Sequence, residues 1–190
     1  MENFFYDLNI FKMFDSPATY KLIQVDRNRS NLRLFQRIFI YKFYIHKKDS
    51  LRKYIVRLTE FEDQLFLIDY YAKIKDGSGM DLRYNVLTNQ KVTGRVGATI
   101  LSIISEIAKN KKDSCFGIAA APLKNETNDN FTKRCKVYSL ILSYTTKGNS
   151  EFDLRVIKEK SHIFIIRKKF SLSKSENVLM DYEKIFEENY

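Results

Sequence analysis

Tryptophan is absent from this 190-residue chain, and cysteine, histidine and proline occur only twice each. Each scarcity excludes something. With Cys115 and Cys135 far apart, no C-x-x-C pair and only His46 and His162 besides, neither a zinc ligand set nor a disulfide framework can be assembled. Both histidines stand alone in apolar, strand-like runs, so a Ser-His-Asp mechanism has no support. Six glycines and two prolines against 44% apolar residues leave no room for a long disordered or low-complexity segment. The length suits one domain, residues 1–190, with a substantial core. No run of 18 apolar residues occurs, and the opening MENFFYDLNIFKMF has early acids and no small-residue cleavage pattern. The expectation is a soluble, non-secreted, cytoplasmic protein with reduced thiols, no metal and no membrane contact.

Aromatic residues and positive charge are abundant. There are 15 Phe and 12 Tyr, and the formal charge is +10. The charge is uneven: from Arg27 to Arg57 ten Lys or Arg face a single acid, Asp49, a net of +9. Arg37, Lys42, Lys47, Lys48, Arg52, Lys53 and Arg57 alternate there with Phe35, Phe39, Tyr41, Phe43 and Tyr44. Such interleaving can follow a phosphate backbone and stack bases, or meet an acidic protein partner. The plainer alternative is a solvated strand face whose aromatics are core. No recognised nucleic-acid motif occurs, so any such binding acts through charge and shape.

Periodicity predicts the elements. Phe4, Leu8 and Phe11 form a helical stripe that stops at Asp15-Ser16-Pro17, and a polar stretch follows. Strands are expected at 34–46, 53–60 and 64–74 as an antiparallel meander, with Phe66, Ile68, Tyr70, Ala72 and Ile74 on one face. Further strands are expected at 82–88, 114–121, 152–158 and 162–168. The spacing predicts a helix over 131–144, with Val137, Ile141 and Tyr144 inward. A closing helix carries Val178, Leu179, Tyr182, Ile185 and Phe186. The small residues of SCFGIAAAP would let something approach the strand backbone. Asp69 and Asp81, in or beside strands, are no clear candidates for a general base.

The stretch YNVLTNQKVTGRVGATILSIISEIAKN, Tyr84 to Asn110, organises these elements. It reads as a strand, a turn at Gly94 and Gly97, and a helix whose Val96, Ile100, Ile103, Ile104 and Ile107 recur at helical spacing. A helix start after such a turn presents free N–H groups that attract phosphate. The segment resembles the cofactor turn of the GNAT superfamily of acetyl-CoA-dependent N-acetyltransferases, Q/R-x-x-G-x-G/A, with Val92 in place of Gln or Arg and Arg95 in place of the first glycine. It is also similar to a group of uncharacterised GNAT-like phage proteins, through Thr93, Gly94, Arg95, Val96, Ala98 and Thr99 and, later, Arg134, Lys136, Val137 and Tyr138.

The resemblance implies an α+β, GNAT-like fold with a mostly antiparallel sheet, helices on its flanks and an extra C-terminal helix open to a dimer or partner contact. It implies acetyl-CoA as cofactor, its pyrophosphate on the backbone of Arg95, Val96, Gly97, Ala98 and Thr99, with the Arg95 side chain pairing to phosphate. Strands 82–88 and 114–121 would splay into a V around the pantetheine arm. Tyr138 would protonate the leaving thiolate. Arg134 and Lys136 would meet phosphate or solvate the helix. Two functions stay open: acetyl transfer to an amine, or a catalytically inactive GNAT-like binding or assembly module, in a phage particle or on nucleic acid, acting through the basic strands.

Overall fold

The computed structural model describes residues 16–28, 35–47, 50–73, 90–120, 126, 130–147, 151–170 and 172–189. The first half forms a meander of β1 (Tyr20–Arg27), β2 (Arg37–Lys47), β3 (Ser50–Glu60) and β4 (Leu65–Lys73), rich in β-branched and aromatic residues and each antiparallel to the next. Helix α1 (Gln90–Asn110) precedes β5 (Cys115–Ala119), which lies parallel to β4. Helix α2 (Lys133–Lys147) then leads to β6 (Phe152–Ile157) and β7 (His162–Arg167), and α3 (Leu172–Asn189) closes the order. Strand β7 enters between β5 and β6, giving a seven-stranded, mostly antiparallel sheet β1-β2-β3-β4-β5-β7-β6. The fold class is α+β.

Strand β1 is the element that sequence reading missed. Its pattern, YKLIQVDR, lacks strict alternation because a bulge between Leu22 and Gln24 breaks the register. As an edge strand it leaves Leu22, Ile23 and Val25 each 42% exposed, so burial did not impose a period on it. The expected N-terminal helix and the strand at 82–88 fall outside the described residues, as do Ile74, Asp81 and Asp49.

One face of the meander carries Tyr41, Phe43, Ile45, Tyr54, Val56, Leu58, Phe66, Ile68 and Ala72 against α1 and α2. The α1 stripe of Val96, Ile100, Ile103, Ile104 and Ile107 is buried there, as its spacing predicts. Along β4, β5 and β7 consecutive residues are buried, Leu65 to Ile68 and Ile163 to Ile166 among them. Such runs mark strands covered on both faces. The second cover is α3, whose Val178, Tyr182, Ile185 and Phe186 pack on Leu65, Leu67, Cys115, Phe164 and Ile166. That apolar stripe is covered by the chain's own sheet.

Small side chains in β5 serve this packing. A Cβ on Gly117 would stand 2.8 Å from the Tyr182 ring, so what approaches the strand is α3. The Tyr182 hydroxyl donates to the Phe66 carbonyl at 3.1 Å and accepts the Phe66 N–H at 3.1 Å, tying the helix to β4. On the β7 edge of the same core, His162 packs 4.1 Å from the Phe186 ring, and its Nδ1 is buried without a partner. Burial, followed by Lys160, lowers its pKa from the ordinary 6.5. The unfolded chain therefore binds the proton first. Stability holds above about pH 6.5 and falls as acid passes through the window below it, down to the folded-state pKa. Urea unfolding of wild type and His162→Gln between pH 7.5 and 5 should show a smaller acid loss in the variant.

Candidate functional site

The parallel register of β4 with β5 has three pairs: Leu65 with Cys115, Phe66 with Phe116 and Leu67 with Gly117. β4 runs on to Lys73 and β5 to Ala119, so beyond these pairs the two strands part. The gap opens toward α1 and α2 and forms an apolar cleft of about 40 Å³. Ile68 and Tyr70 line it from β4, Ile118 from β5, Gly97 and Ile100 from α1, and Tyr138 from α2.

The site is braced at the start of α2. Thr132 is the cap: its Oγ1 accepts the Cys135 N–H at 3.2 Å and donates to the Ala120 carbonyl at 2.9 Å. The helix start is thereby fastened just past the end of β5. The Thr132 N–H bonds Ser161 Oγ at 2.9 Å, and the Lys133 N–H bonds Glu126 at 2.7 Å. Tyr138 follows on the inward face. Its ring lies 5.7 Å from that of Tyr70, and the Tyr70 hydroxyl donates a short hydrogen bond to the Tyr138 hydroxyl.

Burial raises both phenols. Tyr70 is pushed well above 10, by burial first and then by Tyr138. Tyr138 is raised by burial, and the hydrogen bond from Tyr70 and the charge of Arg134 pull it back. Because Tyr138 accepts from Tyr70, its own proton is directed elsewhere. The chemistry available is a neutral hydroxyl donor at the side of an apolar cleft.

No protein-family model, curated protein or solved structure matches the chain. Geometry alone places the expected residues. The turn predicted at Gly94 and Gly97 is replaced by helix: α1 begins at Gln90, so Arg95 to Thr99 lie inside it. Their N–H groups are committed to carbonyls four residues back, and the orphan donors belong to the first turn. The backbone cradle at Arg95, Val96, Gly97, Ala98 and Thr99 is therefore not formed. Tertiary packing outweighs the roughly 1 kcal/mol that each glycine costs a helix. Val96 and Ala98 are core, and Arg95 is exposed. Thr99 Oγ1 donates to the Arg95 carbonyl at 2.7 Å and accepts the Ala18 N–H at 2.9 Å, fastening the lead into β1. Of the five, only Gly97 lines the cleft.

Of the residues expected inward on α2, Ile141 lines the cleft but Val137 does not turn inward. Val137 is 43% exposed, while Cys135 and Leu142 are buried; the Tyr144 side chain lies outside the described residues. The Thr132 cap and the Tyr70 contact set this rotation. Lys136 sits 5.3 Å from the Phe131 ring. Tyr70 was visible in the sequence as an inward strand residue, but its pairing with Tyr138 needs the α2 rotation.

The basic set divides between the two faces of the sheet. The registers put Lys42, Lys53 and Arg57 on one face and Arg37 and Arg52 on the other. Arg57 stands opposite Asp69 in the β3–β4 register. Arg37 is spent on structure: it pairs at 2.7 Å with Glu60, a carboxylate only 1% exposed that Lys111 also pairs with. The Lys47 side chain and all of Lys48 lie outside the described residues.

Among the described residues, no helix is long and apolar enough to cross a membrane.

Proposed function

We propose that this chain is a GNAT-like acyltransferase that takes the thioester end of acetyl-CoA into the cleft between β4 and β5 and transfers the acetyl group to an amine. One observation carries the proposal: two parallel central strands part after three pairs, and a half-buried tyrosine from the following helix stands at the gap. The order of meander, crossover helix, parallel strand and tyrosine-bearing helix agrees with the resemblance in Thr93 to Thr99 and Arg134 to Tyr138. On this reading the V would be that of β4 and β5, since the strand expected at 82–88 lies outside the described residues. The pyrophosphate would meet the first turn of α1, Gln90 to Thr93, where N–H groups lack helical partners. Among the described residues, the lining of the cleft has no carboxylate or imidazole. The amine must therefore arrive neutral, and positioning with proton donation to the thiolate by Tyr138 supplies the catalysis.

A second function, a non-catalytic module of the same fold, is favoured by the narrowness of the cleft, which Tyr70 and Tyr138 bridge. Its surface would be the face of Lys42, Lys53 and Arg57, toward nucleic acid or an acidic protein. Calorimetric titration with acetyl-CoA separates the two. The acyltransferase binds at micromolar concentration, and Gly97→Trp, which fills the cleft, weakens binding by about 100-fold or more. A folded wild-type protein that releases no heat with acetyl-CoA overturns the proposal in favour of the module.

A further inference from the structure

At the opposite end of α1 lies a second concavity, of about 710 Å³, between the last two turns of that helix and the ends of β6 and β7. We propose that it binds a short oligophosphate: inorganic triphosphate, or the phosphate chain of a nucleotide. Four exposed lysines face it, Lys109 from the last turn of α1, Lys112 from the turn after it, and Lys168 and Lys169 after β7, with Arg167 in its wall. Ser105, Ala108 and Lys109 share one face of α1 at i, i+3 and i+4, and the turn after the helix brings Lys112 to the same concavity.

The charges do not cancel. Lys169 is matched by Asp113 at 2.5 Å, and Arg167 by Glu151 at 2.6 Å. Among the described residues no carboxylate stands within ion-pair distance of Lys109, Lys112 or Lys168, so three ammonium groups converge uncompensated. The C-terminal dipole of α1 does not explain them, because Arg167 already serves that end. Its Nη2 donates to the Ala108 carbonyl at 2.8 Å and to the Lys111 carbonyl at 3.4 Å.

Arg167 is the fixed charge behind the lysines. It is only 6% exposed, its guanidinium lies 4.2 Å from the centre of the Phe152 ring, and its Nε–H has no acceptor. A buried, rigidly held guanidinium behind three unpaired ammonium groups adds fixed positive potential to the groove, which suits phosphate. The volume falls in the range of small-ligand sites, which favours a short oligophosphate over an extended polymer.

The test is calorimetric titration of the full chain with inorganic triphosphate and, separately, with a nucleoside triphosphate. Triphosphate should bind, more weakly as salt rises. Combined Lys109→Glu, Lys112→Glu and Lys168→Glu changes should weaken it by about 100-fold, and Lys112→Gln alone by about 10-fold. These side chains are exposed, so far-ultraviolet circular dichroism should stay unchanged. Equal affinity for the two ligands means that phosphates alone are read, and tighter nucleotide binding means that the base is also held. Gly97→Trp should leave triphosphate binding intact, which separates this groove from the acyl cleft. Absence of binding, binding that survives the triple change, or binding of an oligonucleotide but not of triphosphate overturns the proposal.

Discussion

Under the proposed acyltransferase function, replacing Tyr138 by phenylalanine should lower the rate of acetyl transfer about 100-fold while changing acetyl-CoA affinity by about twofold at most. The ring, which lines the cleft beside Ile118 and Ile68, remains; only the hydroxyl goes. An interaction needed when the thiolate leaves is lost from turnover and not from ground-state binding. Tyr70→Phe should act in the same direction but by only about 10-fold, because it removes the hydrogen bond that holds the Tyr138 pKa down. It should also move the alkaline limb of the pH–rate profile upward. Steady-state assay of coenzyme release across pH, with calorimetry on the same variants, checks both. Equal turnover in wild type and Tyr138→Phe would remove Tyr138 from the chemistry.

The largest stability effect is expected at Phe116→Ala, about 3–5 kcal/mol by urea unfolding. Phe116 is fully buried in the strand that joins the meander to the β6–β7 hairpin. Its ring stacks on Phe66 at 5.4 Å and meets Phe152 edge-on at 6.4 Å. Truncation leaves a cavity between two rings that the sheet holds apart, so collapse recovers little. Val137→Ala, by contrast, should cost within about 0.5 kcal/mol, since Val137 is 43% exposed. A large loss at Val137 would mean that α2 is rotated as its apolar spacing first suggested.

The α1 stripe and the closing helix were legible because long amphipathic patterns admit one buried face, and both are buried as their spacing predicts. The Thr132 cap was legible only in retrospect. A threonine before a helical stretch is a common start signal, yet its second bond, to the Ala120 carbonyl, belongs to the tertiary structure. The basic set misled for a related reason. Counting charge along a strand ignores that neighbours point to opposite faces, so Arg37 and Lys42 never share a surface. The lysines of the lower groove were missed because 109–112 and 167–169 are distant in sequence and meet only when β7 inserts beside β5.

The amino-acid sequence by itself determined the α+β class, the meander and the helices that cover it, because period and burial are local properties of a chain with few breakers. The start of α1, the rotation of α2 and the meeting of Tyr70 with Tyr138 were decided by the tertiary structure alone. Glycine only permits a turn, and packing of Val96 and Ala98 against the sheet makes helix the lower-energy choice at Gly94 and Gly97. The cleft exists for the same reason: β4 and β5 part after Leu67 and Gly117, where α1 and α2 pack over the opening, and no residue type announces where two strands will separate.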